Sequence, residues 1–239
     1  MHTSASSSPT HIQLTPKVIV GFLVYLLLTP AALLLIGGDL RWTMAWVYIF
    51  ITLAGVIGSR LLALKKNPEM LAERSRFTQA EGTPAWDRVL VPVVALIGPF
   101  AMIIVAGLDH RYDWGPVINP VWQAVFLVIV AISVLVVVWA MLTNAYFSAV
   151  VRIQRDRGQT VVSSGPYAAV RHPAYAASLI SSLAAPLALD AVWALVPALV
   201  MIIALVIRTE LEDRLLQKEL PGYAEYAARV RYRLLPGVW

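Results

Sequence analysis

Residues 121–142 read VWQAVFLVIVAISVLVVVWAML and contain no charged side chain. A helix needs about 20 apolar residues to cross the hydrocarbon core of a bilayer, so this run predicts a transmembrane helix. The whole chain of 239 residues is 59% hydrophobic and 14% charged, whereas soluble domains average about 45–50% and about 25%. This composition excludes an ordinary soluble globule, a disordered chain and a fibrous repeat, and it indicates a polytopic membrane protein.

Further apolar runs flank this one, and together they predict an all-α protein with about six membrane spans. The other runs are 18–36, 42–64, 89–108, 173–189 and 191–207. The last two are barely long enough to span, so the final hairpin can also be read as re-entrant. We divide the chain into a disordered Ser/Thr-rich tail (1–16), four membrane helices (17–142) and a C-terminal core (143–239).

Basic residues are concentrated in alternate connections between these runs. The connection 65–88, the connection 143–172 and the segment after residue 207 are rich in Lys and Arg, whereas the opposite connections hold only Arg41 and Arg111. Because cytoplasmic loops carry the excess of Lys and Arg, both termini are predicted to be cytoplasmic. The net charge of +5 then reflects membrane topology, and no nucleic-acid partner is predicted.

Several kinds of site are absent from the sequence. The chain has no cysteine, which excludes a disulfide, a Cys-ligated metal and a thiol nucleophile. His2, His11 and His110 show no spacing typical of metal ligands, so no metal site is predicted. The chain also lacks a phosphate-binding glycine loop and a Rossmann fingerprint.

The densest polar segment is GPYAAVRHPAY at 165–175. His172 precedes a proline and is disfavoured in a helix, whereas Pro173 suits the first helical position, so the fifth span is predicted to begin here. The positive end of its dipole, beside Arg171, suits a carboxylate or a phosphate. Alternatively, Arg171 and His172 only anchor the span at lipid headgroups, with the tyrosines in an interfacial belt.

A second polar segment, RTELED at 208–213, lies where the sixth span leaves the membrane. Arg208 and Glu212 are four residues apart and share a helix face. Either the carboxylate is aimed at a cation or at ribose hydroxyls, or the two residues form a surface ion pair worth a few tenths of a kcal/mol. After the Pro-Gly break at 221–222, apolar and basic residues predict an amphipathic helix that covers the site, with a plain surface anchor as an equally good alternative.

Taken together, these motifs resemble the isoprenylcysteine carboxyl methyltransferase family and, more widely, the phospholipid N-methyltransferases. The shared elements are Gly-Pro-Tyr at 165–167, Arg-His-Pro-x-Tyr at 171–175, Arg-x-x-x-Glu-Asp-x-x-Leu at 208–216, Tyr-x-x-Tyr-x-x-Arg-Val at 223–230, and Pro236. The resemblance covers about residues 144–239, and the first four spans share only its general character.

The resemblance implies a multi-pass membrane methyltransferase, in the inner membrane if the chain is bacterial, with its active site facing the cytosol. It implies S-adenosylmethionine as the cofactor and Arg208 and Glu212 as the catalytic residues, with Arg208 orienting the acceptor. The residues implied to bind the cofactor, with Arg171 added from its place beside the helix terminus, are Gln154, Gln159, Thr160, Val161, Val162, Tyr167, Arg171, His172, Pro173, Ala174, Tyr175 and Glu212.

Some positions depart from the family pattern. A Gly often found two residues after the second Tyr is Ala177, the usual second Glu is Asp213, and a common loop His is Gln159. A family Gln falls on Arg152 in an ungapped alignment, with Gln154 as a plausible substitute.

The implied acceptor is a lipophilic or prenylated molecule that arrives from the surrounding membrane lipids. A carboxylate acceptor needs no deprotonation at neutral pH, and an arginine can hold it through two hydrogen bonds.

Two other functions stay open at this stage. A sterol- or steroid-type membrane reductase that uses NADPH has similar C-terminal motifs, but such proteins typically carry Asn where this chain has Ala174. A non-catalytic membrane scaffold is the other reading. It predicts that Tyr167, His172 and Glu212 can be replaced without loss of small-molecule binding.

Overall fold

The computed structural model describes residues 16–75 and 82–239, and every regular element in these residues is helical. The α-helices are α1 (Pro16–Gly37), α2 (Thr43–Lys66), α3 (Pro68–Ser75), α4 (Ala85–Pro92), α5 (Gly98–Tyr112), α6 (Pro120–Thr143), α7 (Pro173–Ala188), α8 (Leu195–Glu219) and α9 (Tyr223–Arg229). A π-helical stretch, Val93–Ile97, joins α4 to α5. The all-α prediction is confirmed for the part of the chain that the structure describes.

Four helical stretches are long and apolar enough to cross a membrane: Thr43–Lys66, Ala85–Tyr112, Pro120–Thr143 and Val192–Glu219. Helix α7 is apolar but has 16 residues, about 24 Å at 1.5 Å per residue, against a hydrocarbon core of about 30 Å. The apolar stretch Leu26–Gly37 of α1 is also shorter. These lengths support a multi-pass membrane protein, while six crossings and cytoplasmic termini stay predictions.

The predicted disordered tail, residues 1–16, lies almost entirely outside the described residues. Its last residue, Pro16, is the first residue of α1. Helix α1 therefore begins one residue before the predicted boundary.

Proline and polar residues set the ends of the helices that lead to the site. The Asn119 side chain accepts a hydrogen bond from the backbone N–H of Val121 at 2.9 Å, and Pro120 occupies the first position of α6. His172 and Pro173 begin α7 in the predicted way, although the His172 side chain makes no capping hydrogen bond. The chain between these helices, 144–172, is the longest connection at this end of the bundle.

Small side chains let the helices approach one another closely. Helix α7 packs against α6 and α8, and its buried residues include Ala177, Ala184 and Ala185. In a membrane, helices associate through van der Waals contact, which small residues at the interface permit. Helices α5 and α8 meet at Gly98, where an added Cβ would lie 2.8 Å from the Cβ of Met201.

The polar connections gather at one end of the bundle, termed here the basic end (residues 65–75, 82–90, 144–173 and 208–239). Helices α2, α6 and α8 end there, and α4 and α7 begin there. At the opposite end, the buried Asp109 carboxylate accepts hydrogen bonds from the backbone N–H groups of Gly115 and Trp193 at 2.8 and 3.1 Å. The Asp109 carboxylate therefore joins the segments at the end of the bundle opposite the basic end.

Candidate active site

A cleft with about 850 Å³ of open space lies at the basic end, bordered by α7, α8, α9 and the connection 144–172. Every residue predicted to bind the cofactor lines this cleft: Gln154, Gln159, Thr160, Val161, Val162, Tyr167, Arg171, His172, Pro173, Ala174, Tyr175 and Glu212. Arg208 lies behind this wall and reaches the cleft through Tyr175.

The N-terminus of α7 presents unpaired backbone donors to the cleft. The first hydrogen bond of this helix runs from the N–H of Ala176 to the carbonyl of His172 at 3.0 Å. The N–H groups of Ala174 and Tyr175 have no acceptor among the described residues, and both residues line the cleft. Such orphan donors at a helix N-terminus form a binding site for an anion.

Glu212 supplies an open carboxylate on the neighbouring wall. Its Oε2 accepts a hydrogen bond from the Tyr175 hydroxyl at 2.7 Å, and this hydroxyl accepts one from Arg208. No donor among the described residues contacts the Oε1 of Glu212. The alternative of a direct surface ion pair between Arg208 and Glu212 is therefore wrong, because the Tyr175 hydroxyl stands between them.

Arg208 is buried and paired with a carboxylate that the sequence analysis did not single out. Its Nε donates to Asp87 Oδ1 at 2.7 Å, and the Asp87 side chain is fully buried. The second carboxylate oxygen accepts from the N–H of Val151 at 2.7 Å. In the sequence, Asp87 was distinguished only by its place at the start of the apolar run 89–108, where a charge is costly unless it is paired.

Asp213, next to Glu212 in the chain, is the centre of a buried polar cluster. Two nitrogens of Arg171 donate to its carboxylate at 2.8 Å each, and the Tyr223 hydroxyl donates at 2.9 Å. The other donors are His172 Nε2 at 3.2 Å, Gln217 Nε2 at 2.8 Å and Arg233 Nε at 2.9 Å. We refer to Asp213 and its five partners as the Asp213 cluster.

Arg171 is engaged within the protein through all three of its nitrogens. Besides Asp213, it donates from NH1 to the backbone carbonyls of Val230 and Arg231, at 2.8 Å each. Arg171 lies in the wall of the cleft. That it binds the cofactor's carboxylate stays a prediction, and its observed contacts fasten the C-terminal segment to the start of α7.

The segment after α8 crosses one side of the cleft. The N–H groups of Arg171 and His172 donate to the carbonyls of Tyr232 and Arg233 at 2.9 Å each, and the Tyr226 hydroxyl donates to the carbonyl of Tyr167 at 2.7 Å. Burial raises the pKa of Tyr226 to about 12. This hydroxyl therefore stays protonated and keeps its donor role well above neutral pH.

Tyr167 and Tyr223 also present protonated hydroxyls in this region. Burial raises the pKa of Tyr167, whose hydroxyl accepts from the side-chain amide of Asn144 at 3.3 Å. Burial and the nearby Asp213 carboxylate raise the pKa of Tyr223. Both rings line the cleft and offer aromatic faces to a ligand.

Gln154 and Gln159 shape the loop through contacts with each other. The N–H of Gln154 donates to the side-chain oxygen of Gln159 at 2.7 Å, and the side-chain amide of Gln154 donates to the carbonyl of Tyr146 at 2.7 Å. Arg152 also lines the cleft but pairs with Glu73 and Asp156 at 2.7 and 2.8 Å. Gln154 and Arg152, the two candidates for the family Gln, therefore line the same wall of the cleft. Gln154 contributes an amide, whereas Arg152 contributes a guanidinium that is paired with carboxylates.

Comparison with known proteins bears on this same part of the chain. The chain is similar to the cobalt-zinc-cadmium resistance protein CzcN of Cupriavidus metallidurans, with 40% identity over 82 residues. That similarity covers 32% of this chain and 36% of CzcN, so the chain spans about a third of the length of this curated relative.

A family model matches residues 124–218, from within α6 almost to the end of α8. The match begins earlier than the motif resemblance, so it includes α6, and it stops before the tyrosine motif at 223–230. It contains Arg208, Glu212 and every residue predicted to bind the cofactor. The model describes the isoprenylcysteine carboxyl methyltransferase family, so this part of the chain, about two fifths of its length, is similar to that family.

Proposed function

We propose that this protein uses S-adenosylmethionine to methylate the carboxylate of a lipophilic acceptor that reaches the site from the bilayer. One observation carries the proposal. A single cleft gathers the orphan N–H groups of Ala174 and Tyr175, the open carboxylate oxygen of Glu212, and several tyrosine rings. The family match in the same residues supports methyl transfer as the reaction.

The donor set of the cleft fits the chemical groups of this cofactor. The N-terminus of α7 suits its carboxylate, and the Glu212 carboxylate suits ribose hydroxyls or an ammonium group. The faces of Tyr167 and Tyr223 suit an adenine ring. His172 and Tyr175 stack with their ring centroids 5.7 Å apart, and an aromatic face attracts a cation such as a sulfonium.

The residues of the chain act mainly by positioning. When bound, S-adenosylmethionine supplies an electrophilic methyl group, whose transfer to a carboxylate forms one C–O bond, breaks one C–S bond and requires no proton transfer. Asp87 holds Arg208, Arg208 holds the Tyr175 hydroxyl, and that hydroxyl holds Glu212. Such a chain keeps the cleft wall in one geometry, which is what an in-line displacement needs.

Isothermal titration of the purified full-length protein tests the cofactor directly. The ligands are S-adenosylmethionine, S-adenosylhomocysteine and NADPH, and the variant is Glu212→Gln, which keeps the shape and removes the charge. We expect the two adenosyl compounds to bind and the variant to weaken both by about tenfold or more, because a hydrogen bond to a charged group contributes about 1.5–3 kcal/mol.

The matched control is Glu210→Gln on the same helix, because Glu210 does not line the cleft and pairs with Arg214 at 2.5 Å and with Arg233 at 3.4 Å. We expect this variant to bind as the natural protein does. Binding of NADPH alone would overturn the proposal in favour of a reductase. Binding of none of the three by folded protein would overturn it in favour of a scaffold.

A further inference from the structure

A second cavity, with about 1660 Å³ of open space, lies on the membrane side of the cleft. Residues of α1, α2, α5, α6, α7 and α8 line it. Phe147 lines both spaces, so its ring lies at the boundary between them. Along α2 the lining runs from Tyr48 to Arg60, a depth of about 18 Å at 1.5 Å per residue.

The wall of this membrane-side cavity is mostly apolar. The hydroxyls of three lining residues donate to backbone carbonyls of their own helices at 2.7–2.9 Å: Thr52 to Tyr48, Ser59 to Val56, and Ser182 to Ser178. Aliphatic side chains supply most of the remaining surface. A wall of this kind suits a hydrocarbon chain, because most of its surface is apolar.

The end of the cavity nearest the cleft is cationic. Arg60 and Arg74 line it, and the Arg74 guanidinium carbon lies 5.2 Å from the centroid of the Phe147 ring. Arg74 has no carboxylate partner among the described residues, since Glu73 pairs with Arg152 and Asp87 pairs with Arg208. In this respect the half-buried Arg74 differs from Arg152, Arg171 and Arg208, each of which is paired with a carboxylate.

The electrostatic surroundings of Arg74 favour an anion beside it. Burial, together with the charges of Arg60 and Arg208, lowers the pKa of Arg74 to about 10. The side chain is still charged at neutral pH, in a place where like charges destabilise it. A negative group bound here would gain a charge-assisted hydrogen bond and relieve that repulsion.

This inference rests on the proposed function and specifies its acceptor. We propose that Arg74 binds the carboxylate of the acceptor, a single-chain amphiphile whose hydrocarbon part occupies the membrane-side cavity. The carboxylate then lies beside Phe147, where the cavity meets the cleft. Arg208 has a different part, because Asp87 neutralises it, and it positions Tyr175.

Photo-crosslinking with a matched pair of probes tests this assignment. The probes are a palmitic acid analogue that carries a diazirine on its chain and the primary amide of the same molecule, applied to the full-length protein in a neutral detergent. Mass spectrometry locates the labelled residues, and titration gives the half-saturating concentration. We expect the acid to label residues of the cavity wall at about tenfold lower concentration than the amide.

Three variants make the test specific to Arg74. Arg74→Gln should raise the half-saturating concentration of the acid to that of the amide, Arg74→Lys should keep part of the difference, and Arg88→Gln, an exposed charge at the same end, should change nothing. Binding of S-adenosylmethionine should stay within about twofold in all three. If neither the natural protein nor any of the variants bound S-adenosylmethionine, the proposed function itself would be contradicted.

Several outcomes would overturn the inference. They are equal labelling by acid and amide in the natural protein, an unchanged preference for the acid in Arg74→Gln, labels outside the cavity wall, or no labelling at all. The comparison of acid with amide in the natural protein needs no variant, so it decides the matter even if Arg74→Gln fails to fold.

Discussion

Two neighbouring acids on α8 have opposite surroundings. The Asp213 carboxylate is fully buried and accepts hydrogen bonds from five side chains, whereas Glu212 accepts one, from Tyr175, and borders an open cleft. Successive residues of a helix point in directions about 100° apart, so one carboxylate reaches the C-terminal segment and the other reaches the cleft.

Because of this difference, Asp213 stabilises the fold, whereas Glu212 is open to a ligand. A buried carboxylate with all its partners in place stabilises a single arrangement of the segments that it joins. A carboxylate with a free oxygen beside a cleft has capacity left for a ligand. The acid with fewer internal partners is therefore the better candidate for binding, although both belong to the same motif.

The largest expected effect comes from removing the charge at the centre of the Asp213 cluster. Asp213→Asn leaves Arg171 and Arg233 without their shared carboxylate, and breaking a buried ion pair by removing one partner costs about 3–5 kcal/mol. We expect a clear fall in the melting temperature of the detergent-solubilised protein and faster proteolysis after residue 219.

The matched comparison is Glu212→Gln, which should change the free energy of unfolding by less than about 1 kcal/mol, as for a partly exposed pair. Equal melting temperatures for the two variants would remove the distinction drawn between these acids.

A smaller effect is expected from removing the Tyr175 hydroxyl, which joins Arg208 to Glu212. Tyr175→Phe deprives Arg208 of an acceptor and Glu212 of its donor, and leaving a buried donor unpaired costs about 1–3 kcal/mol. We expect a moderate fall in melting temperature, and a loss of S-adenosylmethionine affinity of a few-fold, below that of Glu212→Gln. An affinity loss larger than that of Glu212→Gln, measured by the same titration, would place the Tyr175 hydroxyl in direct contact with the cofactor.

The smallest effect concerns Tyr226 and depends on pH. Its pKa is about 12 in the folded protein against about 10 for an unperturbed tyrosine. Between these values the unfolded chain loses this proton and the folded protein keeps it, so the free energy of unfolding falls as pH rises. Tyr226→Phe should lower the free energy of unfolding at neutral pH by about 1 kcal/mol, the contribution of one hydrogen bond, and the melting temperature should fall with it.

Between pH 10 and 12 the melting temperature of Tyr226→Phe should then fall less steeply than that of the natural protein. Melting curves of both proteins at several pH values supply the measurement. Parallel slopes over this range would show that Tyr226 is not the group that responds to pH.

Much of the fold and of the cleft wall was predictable from local patterns. Apolar runs placed the helices because a bilayer requires long stretches of apolar side chains. The Arg-His-Pro sequence placed the start of α7, since a proline restricts the residue before it and suits the first helical position. The family motifs then identified residues that the structure brings together around one cleft.

The partners of the buried charges were not predictable in the same way. Asp87 and Arg208 are 121 positions apart, and nothing in the segment around either residue points to the other. Arg74 looked like one of many basic residues in a connection, and only its neighbours distinguish it. The motif Glu212-Asp213 did not indicate which acid is enclosed.

A helical membrane protein with basic connections follows from composition, spacing and backbone restriction within short segments, and the resemblance to a methyltransferase family follows from the motifs at 165–175 and 208–216. The packing of the helices was needed to show that Asp87 neutralises Arg208, that Asp213 is enclosed while Glu212 is open, and that Arg74 borders an apolar cavity. The physical reason is that the state of a charge depends on burial and on partners within a few ångströms, and in this protein those partners come from different helices.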